Sequence, residues 1–232
     1  MTFLYRDTVT WGPAGTEVSV GFTERRLDLG DLAPPEVRGA ALAEIASVTG
    51  ATPYVMHQVH GADVLVVEEW ASPTWDPHVD ALLTAEPGRA LLTRAADCVP
   101  VLLAGDTGVL GAVHAGREGV RQGVVPAALA RLRALGADSV RAWVGPHICG
   151  RCYEVPEAMR DAVAAAVPAA HATTSWGTPA LDLGAGVRAQ LEAAACIVVE
   201  VGGCTREVPA LHSYRRDGAA AGRMAGVIWR AA

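Results

Sequence analysis

The stretch ADCVPVLLAGDTGVLGAVHAG, residues 96–116, is the part of the chain around which the fold is predicted. It joins an acid (Asp97), a thiol (Cys98) and an imidazole (His114) within one apolar neighbourhood. Short runs rich in Val and Leu lie around these residues, at positions 90–93, 101–104 and 109–113. Because Gly and Pro interrupt these runs, the pattern predicts buried strands separated by tight turns. Asp97 and Cys98 then lie at a strand junction and His114 at a strand end, where functional side chains gather.

The composition is typical of a globular protein without a basic face. The chain has 232 residues, of which 51% are hydrophobic and 19% charged, and its formal net charge is −6. This balance gives no electrostatic case for nucleic-acid binding, which usually calls for a basic face. No apolar run reaches the ~18 residues of a membrane span, and the first residues lack the pattern of a signal peptide. The sequence therefore predicts a cytoplasmic protein with one domain over residues 1–232, and it leaves the oligomeric state open.

The five cysteines are an odd number at scattered spacings, in a chain large enough to bury a core without disulfides. We therefore expect reduced thiols, some of them with metal-binding or catalytic roles. Cys149 and Cys152 form a C-x-x-C motif, which is typical of half a zinc ribbon or of a redox pair. Because the chain has no second C-x-x-C, a structural or incidental role is favoured.

Hydrophobic periodicity and turn residues predict a mixture of helices and strands. Helices are predicted at 36–49, 120–135, 156–167 and 185–195. Strands are predicted at 18–22, 64–67, 80–84, 139–144, 197–201 and 223–229. Residues 70–79 are rich in Trp and turn formers and are predicted to form a surface loop, in which His78 has no role.

Residues 54–61, YVMHQVHG, alternate as a strand does. The alternation places Met56, Gln58 and His60 on one face and Val55, His57 and Val59 on the other. His60 lies at the predicted strand end, beside Gln58 and just before Gly61. It is therefore a candidate functional histidine.

His60, Cys98 and His114 together suit two chemistries. Two imidazoles and one thiolate form a three-ligand zinc site that leaves a fourth position for water, and zinc brings the pKa of that water toward neutrality. A thiol beside an imidazole also forms a cysteine nucleophile with its base. The sequence leaves both alternatives open. Phenol oxidation by a trinuclear copper cluster is disfavoured, because the chain has only 7 His and no H-x-H pair.

Five motifs occur in an order that resembles one family. They are Gln58 to Asp63, Ala96 to Val101, Ala112 to Gly116, Gly145-Pro146-x-Ile148 with Cys152 to Val155, and Ser213 to Gly218 followed by Gly222-Arg223. The chain resembles the YfiH/PgeF family, also called laccase-domain or multicopper polyphenol oxidase proteins, from about residue 20 onward. The resemblance implies an α+β fold, a layered sandwich of mixed β-sheets flanked by helices and related to a toxin deamidase.

The resemblance also implies a metal site and a choice of activities. Its metal ligands correspond to His60, Cys98 and His114, which would also be the catalytic residues; the metal would be zinc, with copper possible. The family's activities are phosphorolysis of adenosine, inosine or methylthioadenosine, and deamination of adenosine. Bacterial members are also peptidoglycan editing factors, which remove misincorporated serine from a UDP-muramic acid precursor. The expected partners are therefore a purine nucleoside and phosphate.

Substrate-binding roles follow from the same resemblance. Arg25 or Arg215 would supply a cationic phosphate pocket, and Gln58 would bond a base or ribose edge. The family pattern His-Ala-Gly-Trp-Arg-Gly is altered here, because Arg117 replaces the Trp and Glu118 replaces the Arg. A carboxylate there would repel an anion, unless Arg117 turns inward to restore the charge. This departure motivates a further alternative, a non-catalytic binding protein.

Overall fold

The computed structural model describes residues 1–67, 72 and 76–232. The strands in chain order are β1 (Phe3–Trp11), β2 (Thr16–Thr23), β3 (Thr52–Tyr54), β4 (Val64–Val66), β5 (Ala81–Thr84), β6 (Arg89–Ala95), β7 (Val99–Gly105), β8 (Leu110–Ala115), β9 (Val140–Val144), β10 (His171–Thr173), β11 (Pro179–Leu181), β12 (Ile197–Glu200) and β13 (Met224–Trp229).

The helices flank and connect the strands. They are α1 (Pro35–Thr49), α2 (Arg117–Gln122), α3 (Val124–Ala134), α4 (Glu157–Ala166), α5 (Leu183–Ala193) and α6 (Tyr214–Asp217), with short 3-10 turns at Pro168–Ala170 and Gly218–Ala220. Among the described residues, none of these helices combines the length and the apolar content needed to cross a bilayer.

Two large sheets carry most of the strands. One has five strands in the order β1-β2-β13-β6-β3, the other has six in the order β12-β9-β7-β8-β5-β4, and β10 pairs with β11. Most pairs are antiparallel, but β3 runs parallel to β6, β4 to β5 and β12 to β9. The sheets are therefore mixed, and the predicted α+β class is confirmed.

Alternating side chains of the central strands define the layers. In β7, Leu102 lies in the core between the two sheets, with Phe22 and Trp143. Its neighbour Leu103 points to the other face, where it packs in the core shared with helices α2 to α5. Burying one such side chain contributes roughly 1.5–3 kcal/mol. On the far side, Ile45 of α1 packs with the outer face of the five-stranded sheet, so the order of layers is helix, sheet, sheet, helices.

The predicted strand junction is confirmed. Asp97 and Cys98 lie between β6 and β7, and His114 lies one residue before the end of β8. Pro100 of β7 pairs with His114 of β8, so the sheet register brings the turn with the thiol close to the imidazole. The central β-structure therefore assembles part of the candidate site.

Two sequence predictions of secondary structure are wrong. The single helix expected at 120–135 is two helices, because Gly123 adopts a left-handed backbone (φ +87°) and ends α2. Pro126 then lies in the first turn of α3, where a backbone N–H has no partner within the helix, so the lack of an N–H in proline costs no helical hydrogen bond. The strand expected at 54–60 ends at Tyr54, so its two-face assignment fails beyond that residue.

Half of the predicted loop at 70–79 falls outside the described residues. His78, which is described, is exposed and forms an isolated β-bridge with His57. The imidazole rings of the two residues stack with their centroids 4.4 Å apart.

Candidate functional site

Asp80 organises the turn that carries His60. Its side chain is fully buried and precedes β5. The carboxylate accepts hydrogen bonds from the backbone N–H groups of Val59 (3.3 Å), His60 (3.0 Å) and Gly61 (2.6 Å). These bonds replace the pairing of a strand, which explains why β3 does not continue to this point. His60 takes a left-handed backbone here, with φ 62°.

The same carboxylate orients the second imidazole. Asp80 Oδ1 lies 2.8 Å from Nδ1 of the buried His114. This bond leaves Nε2 of His114 available, and the His60 ring lies edge-on to the His114 ring with centroids 4.8 Å apart. Burial favours the protonated form of Asp80, but His114 and the backbone donors prevail and lower its pKa. The residue is therefore a buried anion that serves both histidines.

Cys98 completes the cluster from the turn between β6 and β7. Its Sγ lies 3.8 Å from Nε2 of His60. Asp97 also has a left-handed backbone, with φ 92°. Its carboxylate accepts hydrogen bonds from the Thr205 hydroxyl (2.6 Å) and from the backbone N–H of Arg215 (2.7 Å). Two non-glycine residues with positive φ in one site indicate a backbone held in place for function.

Gly116 lies against all three side chains. A Cβ at this position would lie 2.6 Å from Cδ2 of His60, 3.3 Å from Cε1 of His114 and 3.4 Å from Sγ of Cys98. The first distance is a steric overlap, so only glycine allows His60 to approach the other two donors.

Cys98 and His114 shift each other's pKa values. Burial raises the pKa of the Cys98 thiol, but the neighbouring His114 and His60 imidazoles outweigh it and lower that pKa to about 6. Burial lowers the pKa of His114, but Cys98 and Asp80 raise it to about 9. The thiolate is thus accessible at neutral pH. The donor atoms of the three residues lie within 4.8 Å of one another, so the cluster suits both a metal ion and a nucleophilic thiolate.

A cavity of about 420 Å³ opens over this cluster. Its lining contains four arginines against two carboxylates, together with aromatic and aliphatic side chains. The lining residues are Asp31, Gln58, His60, Arg94, Ala95, Ala96, Asp97, Cys98, His114, Arg117, Ile148, Tyr153, Leu183, Tyr214, Arg215 and Arg223. The volume lies in the range of small-molecule sites, and the excess of guanidinium groups favours an anionic ligand.

The altered Arg117-Glu118 pair has a definite geometry. Arg117 lines the cavity beside Tyr153. Burial raises the pKa of Tyr153, and the positive charge of Arg117 partly opposes this rise. Glu118 lies outside the lining, where it accepts hydrogen bonds from Arg121 (3.0 Å) and Gln122 (2.8 Å). These bonds lower the pKa of Glu118 to about 2. The cation therefore faces the cavity, and the anion is neutralised on the surface.

Of the other three candidate binding residues, two line the cavity and one lies outside its lining. Arg215 lines the cavity, where its guanidinium lies 4.8 Å from the Tyr153 ring centroid. Gln58 also lines it, but its amide exchanges two hydrogen bonds, of 2.7 and 2.8 Å, with the backbone of Arg94. Arg25 is absent from the lining and forms an ion pair of 3.0 Å with Asp217.

Sequence reasoning missed several residues of the site. Asp80 was assigned only to a strand, although a carboxylate that opens a fully apolar run is a signal of a buried polar role. The sequence places Arg223 in a motif and a predicted strand and Tyr153 in a motif, without a role for either, yet both line the cavity. Arg94 lies in a strand and is buried, with its guanidinium bonded to the Leu29 and Met56 carbonyls and paired with Asp31. Nothing in its local sequence distinguishes it from a surface arginine.

Comparison with known proteins places this site in a family context. Residues 35–231 match the family described as multi-copper polyphenol oxidoreductase laccase. The purine nucleoside phosphorylase of Streptomyces coelicolor is 55% identical over 178 residues, which cover 75% of this chain and 73% of that protein. A Mycobacterium bovis purine nucleoside phosphorylase is 43% identical over 194 residues, covering 82% and 77%.

Solved structures agree over the whole length. YlmD from Geobacillus stearothermophilus superposes with a TM-score of 0.84 at 27% identity, covering 100% of this chain and 99% of that one. A Neisseria meningitidis protein superposes with a TM-score of 0.82 at 28% identity, covering 100% of both chains.

Replacing Gly116 with alanine tests whether the three donors act as one site. Gly116→Ala is expected to displace His60 and to weaken Zn²⁺ binding by about 10-fold or more, since ligand orientation controls metal affinity. Zn²⁺ affinity is measured by competition with a chromophoric chelator. The matched control is Gly39→Ala in α1, because a Cβ at Gly39 meets no atom within 4 Å. Equal affinity in both variants would contradict the shared site.

Proposed function

The chain belongs to the multi-copper polyphenol oxidoreductase laccase family, the YfiH/PgeF family, and on this basis we propose that it is a zinc-dependent purine nucleoside phosphorylase. The observation that carries the proposal is a single cavity that combines the His60, Cys98 and His114 donors with an excess of arginine. The names of its relatives support the same substrate class. Adenosine, inosine and methylthioadenosine are the proposed nucleosides.

The donor set fits zinc on chemical grounds. Two imidazoles and one thiolate are ligands that zinc prefers, and three protein ligands leave one position open. The hydrogen bond from His114 Nδ1 to Asp80 fixes the ring so that Nε2 points away from the carboxylate. When bound, zinc supplies a Lewis acid that polarises an oxygen in the cavity. Copper has the same nitrogen and sulfur ligands available.

Aromatic and aliphatic groups of the lining suit a purine ring. Tyr153 and Tyr214 offer ring faces, and Ile148 and Leu183 offer apolar contacts. Tyr214 is 55% exposed, so the face of its ring is accessible to a ligand in the cavity. We place the base against these side chains and the ribose between them and the His60 cluster.

Arg117 and Arg215 are the proposed phosphate contacts. Neither guanidinium forms an ion pair with a carboxylate of the described residues. In phosphorolysis a phosphate oxygen bonds to the ribose C1′, and the C1′–N bond breaks with its electron pair going to the purine. The two guanidiniums together hold the phosphate and offset its charge as it approaches C1′. Arg25 is paired with Asp217 away from the cavity, so we assign it no such role.

A second candidate function uses Cys98 as a nucleophile. The lowered pKa of its thiol and the adjacent imidazoles match a cysteine hydrolase. Such chemistry would suit removal of serine from a UDP-muramic acid precursor, with Cys98 attacking the amide carbonyl and His114 protonating the leaving amine. Deamination of adenosine is a further candidate activity of the same cavity. The inward position of Arg117 removes the repulsion that motivated a non-catalytic role.

Product analysis tests the proposed function. Protein of known zinc content is incubated with adenosine, with and without phosphate, and the products are separated by chromatography. We expect adenine and ribose 1-phosphate only when phosphate is present, and a loss on the order of 100-fold or more in Cys98→Ala, because a ligand is removed. Inosine formed without phosphate would instead indicate deamination. No product from folded, zinc-loaded protein would contradict the nucleoside assignment.

Replacing Arg117 tests the phosphate contact. Arg117→Leu is expected to raise the KM for phosphate by about 10- to 100-fold, which corresponds to the ~1.5–3 kcal/mol of a charged hydrogen bond. Arg188→Leu is the matched control, since Arg188 lies on α5, outside the cavity lining, and pairs with Glu200 on the surface. The KM for the nucleoside should change little in either variant. Identical phosphate KM values in the two variants would exclude the contact.

A further inference from the structure

Four potential metal ligands form a second cluster, apart from the cavity lining. They are the thiols of Cys149, Cys152 and Cys204 and the carboxylate of Glu207, and one donor atom from each lies within 4.8 Å of all the others. The C-x-x-C motif thus gains, through the fold, the two partners that the sequence does not place beside it.

Two loops bring these donors together. The first follows β9, where a turn bonds the Cys152 N–H to the Cys149 carbonyl at 2.9 Å. The second follows β12, the parallel neighbour of β9. The loops pair through the His147 N–H and the Gly203 carbonyl (3.3 Å) and through the Thr205 N–H and the His147 carbonyl (3.0 Å). Donors held by paired loops are positioned before any ion binds.

We propose that Cys149, Cys152, Cys204 and Glu207 form a second metal site, which binds Zn²⁺ and has a structural role. Three thiolates and one carboxylate provide the four ligands of a closed, tetrahedral zinc site. In such a site, ligand atoms about 2.0–2.3 Å from the ion lie roughly 3.5–3.8 Å apart. The observed cluster is close to that size, so a small inward movement of the side chains completes the coordination.

Contacts around the cluster also suit a thiolate site. The Cys149 backbone N–H donates to Sγ of Cys204 at 3.4 Å, and Sγ of Cys152 lies 3.5 Å from Oε1 of Glu207. In the metal-free state the second contact holds a thiol proton between the two groups, and Zn²⁺ would displace that proton. Each member of the cluster therefore already contacts another.

Positive charge lies beside the cluster as well. Three thiolates and one carboxylate carry four negative charges, so the site keeps two after Zn²⁺ binds. The Arg151 guanidinium lies 4.0 Å from the Glu207 carboxylate, and that of Arg206 donates to the Cys152 carbonyl at 3.3 Å. These two guanidiniums can compensate the remaining charge.

A bound ion would connect the cluster to the cavity described above. The first loop carries Ile148 and Tyr153 into the lining, and the second carries Thr205, whose hydroxyl bonds Asp97 beside Cys98. Clamping the loops would therefore fix part of the cavity wall. This role does not depend on which reaction the cavity performs.

Zinc content measured on reduced full-length protein tests the site. Compared with the wild type, Cys204→Ser is expected to lose one equivalent of Zn²⁺ per chain. The control is Cys196→Ser, which changes a cysteine outside both clusters and should keep the wild-type content. Comparison of Cys204→Ser, Cys98→Ala and the double variant separates the two sites. Cys98→Ala is expected to lose the zinc of the cavity, and Cys204→Ser the zinc of the second cluster.

A second variant keeps the test decisive if Cys204→Ser does not fold. The Glu207 side chain is 52% exposed, so Glu207→Gln should fold and should release one zinc equivalent to a chelator at least 10-fold faster than the wild type. Equal zinc content in Cys204→Ser and Cys196→Ser, or unchanged release from Glu207→Gln, would overturn the proposal. It would also be overturned by a disulfide among these three cysteines in protein purified in zinc-containing buffer, seen as a mass lower by two hydrogens.

Discussion

The buried carboxylate of Asp80 is the interaction on which the candidate site depends. An isolated carboxylate in the core is strongly destabilising, and its cost is offset only when hydrogen bonds satisfy its oxygens. Asp80 has such partners in the backbone N–H groups at 59–61 and in the His114 ring. One anion therefore couples the turn that carries His60 to the end of β8. Losing any of these donors would leave part of a buried charge unpaired, so the turn and the ring are held in one arrangement.

A second carboxylate, that of Asp97, performs a similar task on the opposite wall. It joins the turn before β7 to the Thr205 hydroxyl and the Arg215 N–H. The two walls meet at Gly116, where the absence of a side chain lets His60, His114 and Cys98 converge. Neither carboxylate forms an ion pair with a guanidinium of the cavity lining, and Arg117, Arg215 and Arg223 form none with any carboxylate of the described residues. The site thus keeps a cationic wall beside a thiolate and two imidazoles, the combination on which the proposed phosphorolysis rests.

The sequence predicted the parts of this arrangement that depend on local pattern. Apolar runs broken by Gly and Pro gave the strands around Cys98 and His114, and the ordered motifs indicated the layered fold. Contacts between distant segments were not predictable in this way. Hydrophobic periodicity continues across Gly123, so one helix was expected where a left-handed residue separates two. Alternation at 54–60 suggested a strand, but the carboxylate of Asp80, 20 residues further along the chain, accepts a hydrogen bond from the His60 backbone N–H in place of a neighbouring strand. The inward position of Arg117 likewise depends on Glu118 finding partners within its own helix.

The most direct test of this arrangement is the Zn²⁺ affinity of Asp80→Asn, measured by chelator competition on protein shown by circular dichroism to be folded. The amide keeps the size of the carboxylate but replaces one acceptor oxygen with a donor that faces the backbone N–H groups. Affinity should fall by about 10- to 100-fold, as for other residues that orient metal-binding histidines. Asp161→Asn, on the exposed face of α4, should leave affinity unchanged. Wild-type affinity in folded Asp80→Asn would contradict the central role assigned to this carboxylate.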